Sequence, residues 1–236
     1  MLQMIVPDEA VKYILFQRGL CLRFPHTFAY RVLNRILPFS IYNLAVEIEA
    51  RIYHSSIKTG YKDKMRSEYL SIRDSLPKKC SSILDIGCGV AGIDVLISKH
   101  YKGKPTFYLL DKTKIEKSVF YDFKPRGAFY NSLDIAKKML IQNGISERCV
   151  HCIEATDSNQ IDTHCKVDLV ISLISWGFHY PIETYLDIVY DKLTEGGSLI
   201  LDVRKGTNGI ELLNNKFGRV DVIYDGVTGQ RVLVLK

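Results

Sequence analysis

The stretch that most constrains this chain is Ser82-Ile83-Leu84-Asp85-Ile86-Gly87-Cys88-Gly89-Val90-Ala91-Gly92. Ile83, Leu84 and Ile86 supply the apolar run of a strand covered on both faces. Gly87 and Gly89 permit a tight turn and leave no side chain where a ligand would approach the main chain. Gly92 is read as the position that lets the next helix, with Ile93-Asp94-Val95-Leu96-Ile97, pack closely on the strand. Strand, glycine turn and helix in that order form the unit at which doubly wound sheets bind nucleotides, at the carboxyl ends of the strands.

Taken alone, the spacing also suits a dinucleotide. A pyrophosphate, however, prefers helix-terminal amides with no carboxylate close by. Asp85 stands two residues before the first glycine. That placement suits a cofactor without phosphate and with a cationic amino-acid end. From Asp85-Ile86-Gly87-Cys88-Gly89 onward the sequence resembles the class I S-adenosylmethionine-dependent methyltransferases, whose first motif is an acidic residue followed by a G-x-G turn. The resemblance covers residues 80–236. It implies S-adenosyl-L-methionine as cofactor and methyl transfer as the reaction.

Thr106 to Leu110 reads as a second strand, ending at Asp111, 24 positions after Gly87. A carboxylate there can accept both ribose hydroxyls of the cofactor. The resemblance adds Cys88, Lys112 and Ser172 to the cofactor contacts. It also implies a short polar group for adenine after the strand 149–153, with Thr156 and Asp157 both open. The loop 173–181 follows a buried strand, Val167 to Ser172, and is where this family presents its acceptor. It lacks the Asn/Asp-Pro-Pro-aromatic signature of the exocyclic-amine methyltransferases. A looser resemblance to bacterial glycan-locus O-methyltransferases, together with that absence, implies as acceptor an oxygen of a small polar molecule such as a sugar or glycan precursor.

A hydroxyl acceptor benefits from a base, and imidazole titrates near neutrality. His179 is the candidate catalytic residue, with Asp202 as an alternative base. Trp176 and Tyr180 are expected to wall the acceptor space, with Arg204 at the carboxyl edge of the next strand. An aromatic and basic insertion, 118–130, is expected to act as a flap, with Tyr121 as a substrate contact.

Two strands joined by a short glycine turn, 220–224 and 230–235, make an antiparallel C-terminal hairpin. The expected fold is α/β: a seven-stranded, doubly wound, mostly parallel sheet closed by that hairpin, with residues 80–236 as the methyltransferase domain. Residues 1–79 read as a helical N-terminal cap. Asp8 is expected to cap its first helix and Asn131 to cap the helix after the insertion. Cys149 and Cys152, three apart in a strand, point to opposite faces and read as core residues, so no metal site is assigned.

The net charge of +6 lies entirely in residues 1–79, while residues 80–236 are neutral. An RNA or protein acceptor docking on that basic region is the competing reading, and a non-catalytic cofactor-binding module is a third. No apolar run approaches the roughly 20 residues of a membrane helix. The N-terminus, with Asp8 and Glu9, does not read as a signal peptide, so a cytoplasmic location is expected.

Overall fold

The computed structural model describes residues 3–17, 39–115 and 130–236, with the side chains of 39–45, 114–115 and 130 outside that description. Three helices come first: α1 (Ala10–Gln17), α2 (Phe39–Ile52) and α3 (His54–Ile72). The sheet strands then alternate with helices: β1 (Ser82–Ile86), α4 (Gly92–His100), β2 (Thr106–Asp111), α5 (Leu133–Gln142), β5 (Val150–Glu154), β6 (Val167–Ser172), α6 (Leu186–Lys192) and β8 (Leu193–Arg204). Helix α7 (Gly209–Phe217) leads to the hairpin β9 (Val220–Asp225) and β10 (Gly229–Leu235). Two-residue strands β3 (Lys114–Ile115) and β4 (Tyr130–Asn131) pair beside the sheet, and Ser175–Tyr180, labelled β7, runs extended where a loop was expected.

Seven strands form one sheet in the order β5-β2-β1-β6-β8-β10-β9. The first five are parallel, and β10 is antiparallel to both of its neighbours. This is the expected architecture. All five residues of β1 are buried, as its uninterrupted apolar reading requires of a central parallel strand.

Alternation along the strands divides the core in two. Ile83, Leu109, Leu169, Ile171 and Ile200 face α1, α3, α4 and α5, packing with Ile14, Leu15, Met65, Ile72 and Leu96. Leu84, Ile86, Val170, Leu199, Leu201 and Val203 face the other way, with Trp176, Val189 and Leu213. Each fully buried Ile or Leu contributes about 1.5–3 kcal/mol. The first set joins residues before position 79 to the sheet in one continuous core.

Several local expectations are corrected. Asp8 does not cap α1: the first turn closes on the Pro7 and Asp8 carbonyls, and the Asp8 carboxylate pairs with His54 and Lys58 of α3. Ser132, not Asn131, occupies the N-cap position of α5. Cys152 is exposed on the edge strand β5 rather than buried in the core. Gly196-Gly197 lies inside β8, with Gly196 at a positive φ of 76°.

Candidate active site

Because β1, β2, β6 and β8 are parallel, the ends of all four lie on one edge of the sheet. The glycine turn opens there. Gly87 and Gly89 have φ of +75° and +55°, and Ala91 enters α4 at +57°. The Gly87 and Cys88 amides donate to the Leu110 carbonyl at 2.7 and 3.3 Å, which fixes the turn against the end of β2. A Cβ on Gly87 would lie 1.8 Å from Ser175 Oγ, and one on Gly89 would lie 2.6 Å from Gln17 Oε1. At Gly92 the close neighbour is the Tyr61 hydroxyl of α3, 2.1 Å from a built Cβ, so the glycine admits a helix side chain rather than the strand.

The same alternation that puts Ile83 toward the N-terminal helices puts Asp85 there, and Leu109 likewise brings Asp111 to that face. Four carboxyls are buried in this region: Asp85, Asp94, Asp111 and Glu68. Asp94 comes from the first turn of α4 and is fully buried. Among the described residues no N–H or hydroxyl donates to either of its oxygens. The Asp85 carboxyl is its acidic neighbour, and two buried carboxyls side by side resist both being charged.

Burial pushes the Asp85 carboxyl well above the usual range, with Asp94, Asp111 and Glu68 adding like-charge repulsion. Asp94 is raised to about 6, also by burial, with the Asp85 hydrogen bond acting in the opposite direction.

Asp111 is raised to about 6 by burial, although three N–H groups stabilise its charge. Lys112 N donates to Oδ1 at 2.7 Å; Gly89 N and Asn131 Nδ2 donate to Oδ2, both at 2.9 Å. Asn131 also donates to the Gly89 carbonyl and accepts from Gln17 Nε2 at 3.1 Å. It therefore ties the glycine turn, the acidic end of β2 and α1 together.

The remaining predicted residues fall into three groups. Cys88 is buried under the turn, and burial pushes its thiol up, which suits packing rather than reactivity. At the rim, Lys112 Nζ stands 3.9 Å from Asp157, and Thr156 Oγ1 shares a hydrogen bond with Ser158 at 2.8 Å. Ser172 is fully buried; its hydroxyl donates to the Ile86 carbonyl and accepts from Trp176 N. It is a clasp between β1 and β7, with its hydroxyl spent inside the protein.

Trp176 does not wall an open space. It is fully buried in the far core, where Nε1 donates to the Ile182 carbonyl at 2.9 Å. Tyr180 does reach the site. Burial pushes its phenol up, Tyr185, Asp111 and Asp85 push in the same direction, and Ser175 shares a hydrogen bond with it. Tyr185 stands edge-on to both Tyr180 and Trp176.

His179 stands edge-on to Phe178, ring centres 5.0 Å apart, and the Arg204 guanidinium lies 5.5 Å from the Phe178 ring centre. Asp202 is committed elsewhere. Arg231 holds it through two hydrogen bonds of 2.7 Å, and Ile174 N donates to it at 3.0 Å. A buried carboxylate held this way is not the alternative base. Tyr121 and the body of the 118–130 insertion lie outside the described residues.

Sequence reasoning missed Asp94, Asn131, Glu68, Tyr185 and Gln17. Asp94 did carry a signal: it is a lone acid within the apolar run Ile93 to Ile97. The others are brought in by segments distant in sequence, Glu68 and Gln17 from the N-terminal helices, Asn131 from β4 and Tyr185 from the start of α6, which no local pattern marks. Among the described residues, no three His, Cys, Asp or Glu side chains converge as metal ligands, and no helix is long and apolar enough to cross a membrane.

No protein-family model matches the sequence, and no curated protein sequence matches it. Solved structures do resemble it. One is a protein of Nostoc punctiforme PCC 73102 assigned as an O-methyltransferase, with TM-score 0.51, 13% identity, and coverage of 78% of this chain and 59% of that one. An O-methyltransferase family protein from Burkholderia thailandensis gives TM-score 0.51 and 13% identity over 80% of this chain and 62% of its own. The precorrin-6y C5,15-methyltransferase of Geobacter metallireducens GS-15 gives TM-score 0.49 and 17% identity, over 71% and 85%. The chain thus spans about three-fifths of the length of the first two. At these identities the likeness establishes the fold, which is that of the class I methyltransferases.

Proposed function

We propose, from a chain built on the methyltransferase fold, that this protein binds S-adenosylmethionine and transfers its methyl group to a hydroxyl oxygen of a small polar acceptor. The observation that carries the reading is the buried acid cluster. Asp85 and Asp94 stand beside each other, Glu68 and Asp111 are close, and among the described residues no Lys or Arg forms an ion pair with Asp85, Asp94 or Asp111. Buried carboxylates are expensive without a counter-charge. A ligand with an ammonium or sulfonium supplies that charge, whereas a pyrophosphate would add to the repulsion.

When bound, the cofactor supplies a methyl carbon made electrophilic by its sulfonium. The protein's part is to hold and orient. Asp85 and Asp94 receive the cationic amino-acid end, Gly87 and Gly89 let the ligand approach the main chain, and Asp111 accepts from the ribose hydroxyls. Tyr180 and Tyr185 cover the site from the side of β7 and exclude water. His179 takes the acceptor proton as the bond to carbon forms.

Calorimetry with the cofactor tests the binding step. Hydrogen bonds to a charged group are each worth about 1.5–3 kcal/mol, so Asp111→Ala should weaken binding by at least tenfold. Unchanged affinity would remove the assignment. A base contributes roughly a hundred- to ten-thousand-fold in rate. His179→Ala should therefore cut turnover at least about a hundredfold while cofactor affinity holds. A loss below about fivefold would make His179 a packing residue.

A further inference from the structure

The charges on the cap-facing side of the sheet edge are sorted by position. Along β8, Leu199, Leu201 and Val203 face the far core, while Ile200 packs with the N-terminal helices. Asp202 and Arg204 therefore share the face of Ile200. Asp202 is neutralised by Arg231, whose Nη1 donates to Ser71 of α3 at 2.6 Å and so confirms the direction. Arg204 is one step further toward the edge. Its register partner on β10 is Gly229, and the space a Cβ would take there is filled by the Phe178 ring, 2.7 Å away.

Arg204 thus rests its guanidinium over Phe178, half-buried. Among the described residues no carboxylate pairs with it, although the neighbouring Lys205 is paired with Asp225 at 2.7 Å. Stacking on an aromatic face leaves the in-plane N–H fork of a guanidinium directed outward, the geometry that grips a carboxylate or phosphate through two bonds.

β6 lies between β1 and β8, and Asp85 is level with Ile171 and through it with Ile200, four residues before Arg204, so about 10 Å across the strands and about 13 Å along them separate Asp85 from Arg204. The segment β7 connects them: Ser175 touches the Gly87 turn, and Phe178 lies under Arg204 with His179 edge-on to its ring.

We infer that the methyl acceptor is an anion, a small molecule carrying a phosphate or carboxylate group gripped by Arg204 against Phe178, with the hydroxyl to be methylated between that group and the acid cluster. The inference rests on the methyl-transfer reading and narrows its substrate class. Negative charge at the ends of β1 and β2 selects the cationic cofactor, and positive charge at the end of β8 selects an acceptor of opposite sign. An anion also gains affinity from the field of the basic N-terminal region.

The test separates the two claims. Protein saturated with the demethylated cofactor is titrated with inorganic phosphate, acetate and glucose, and the ring proton of His179 is followed by NMR, assigned through His179→Gln. Phosphate or acetate should shift it saturably at millimolar concentration, and whichever binds more tightly names the anion. Glucose should not. Arg204→Ala should weaken that binding at least tenfold, with Arg204→Lys keeping part of it; circular dichroism and calorimetric cofactor affinity verify that both variants are folded. Shifts that are absent, or equal in wild type and Arg204→Ala, overturn the inference while cofactor binding on the same samples leaves methyl transfer standing. A saturable anion site on a protein that binds no cofactor would instead keep the Arg204 site and remove the methyltransferase reading.

Discussion

Gly87 holds φ at +75°, and a built Cβ would collide with Ser175. A β-branched residue in that conformation costs about 1–3 kcal/mol in backbone strain before the collision is counted. Gly87→Val should therefore lower the melting temperature and abolish measurable cofactor binding; a variant with wild-type affinity would place the ligand elsewhere. Asp94 makes the opposite kind of prediction. Asparagine keeps its shape and can donate to Asp85, so Asp94→Asn should stabilise the unliganded protein at pH 7 while weakening the cofactor. The acids at Asp85 and at Asp111 were legible as candidates because each stands at a strand end fixed by the glycine turn and the second apolar run. Asp94 was passed over within the helical run Ile93 to Ile97, since a buried acid looks like a surface one until its surroundings are known.

Helix α3 shows what packing adds to a stretch of sequence. Its apolar spacing announces a helix, yet its tie to the site comes from polar residues: Tyr61 over Gly92, Glu68 beside the acid pair, and Ser71 on Arg231. The Arg231–Asp202 pair is buried on both sides. Removing one partner of such a pair costs about 3–5 kcal/mol because the other charge is left uncompensated. Urea denaturation should show that loss for Arg231→Met and substantial recovery for the double variant with Asp202→Leu. If the single variant loses less than about 1 kcal/mol, the pair is not holding β10, β8 and α3 together. Ser175–Tyr180 is the element that strand periodicity did not reveal. Positive φ at Ile174 and Gly177 breaks its alternation, so no regular pattern was present to be read.

At the scale of the whole molecule, the mostly parallel sheet and its C-terminal hairpin were legible because apolar runs, acidic strand ends and a glycine turn each act locally. The site was legible on its sheet side alone, because the helices that close it meet it only after folding. The acid cluster also gives the protein a pH signature. Asp94 and Asp111 are raised to about 6, so between pH 4 and 6 the folded chain holds protons that the unfolded chain has shed. Stability from these groups is full below about pH 4 and is lost as the pH rises through 6, by up to about 1.4 kcal/mol per pH unit for each proton. Asp94→Asn should flatten that slope in denaturation measured at several pH values; an unchanged slope would mean Asp94 holds no such proton.

A cationic ligand reverses the balance, because it lowers the carboxyl pKa values and drives protons out. The most direct measurement is calorimetry of S-adenosylmethionine binding at pH 6 in two buffers of different ionisation enthalpy, repeated at pH 5 and 7. The expected result is binding that releases protons, tightens from pH 5 to 7, and loses most of its proton release in Asp94→Asn. Absence of binding, or binding with no proton exchange and no pH dependence, would contradict the assignment of the acid cluster as the seat of the cofactor's cationic end.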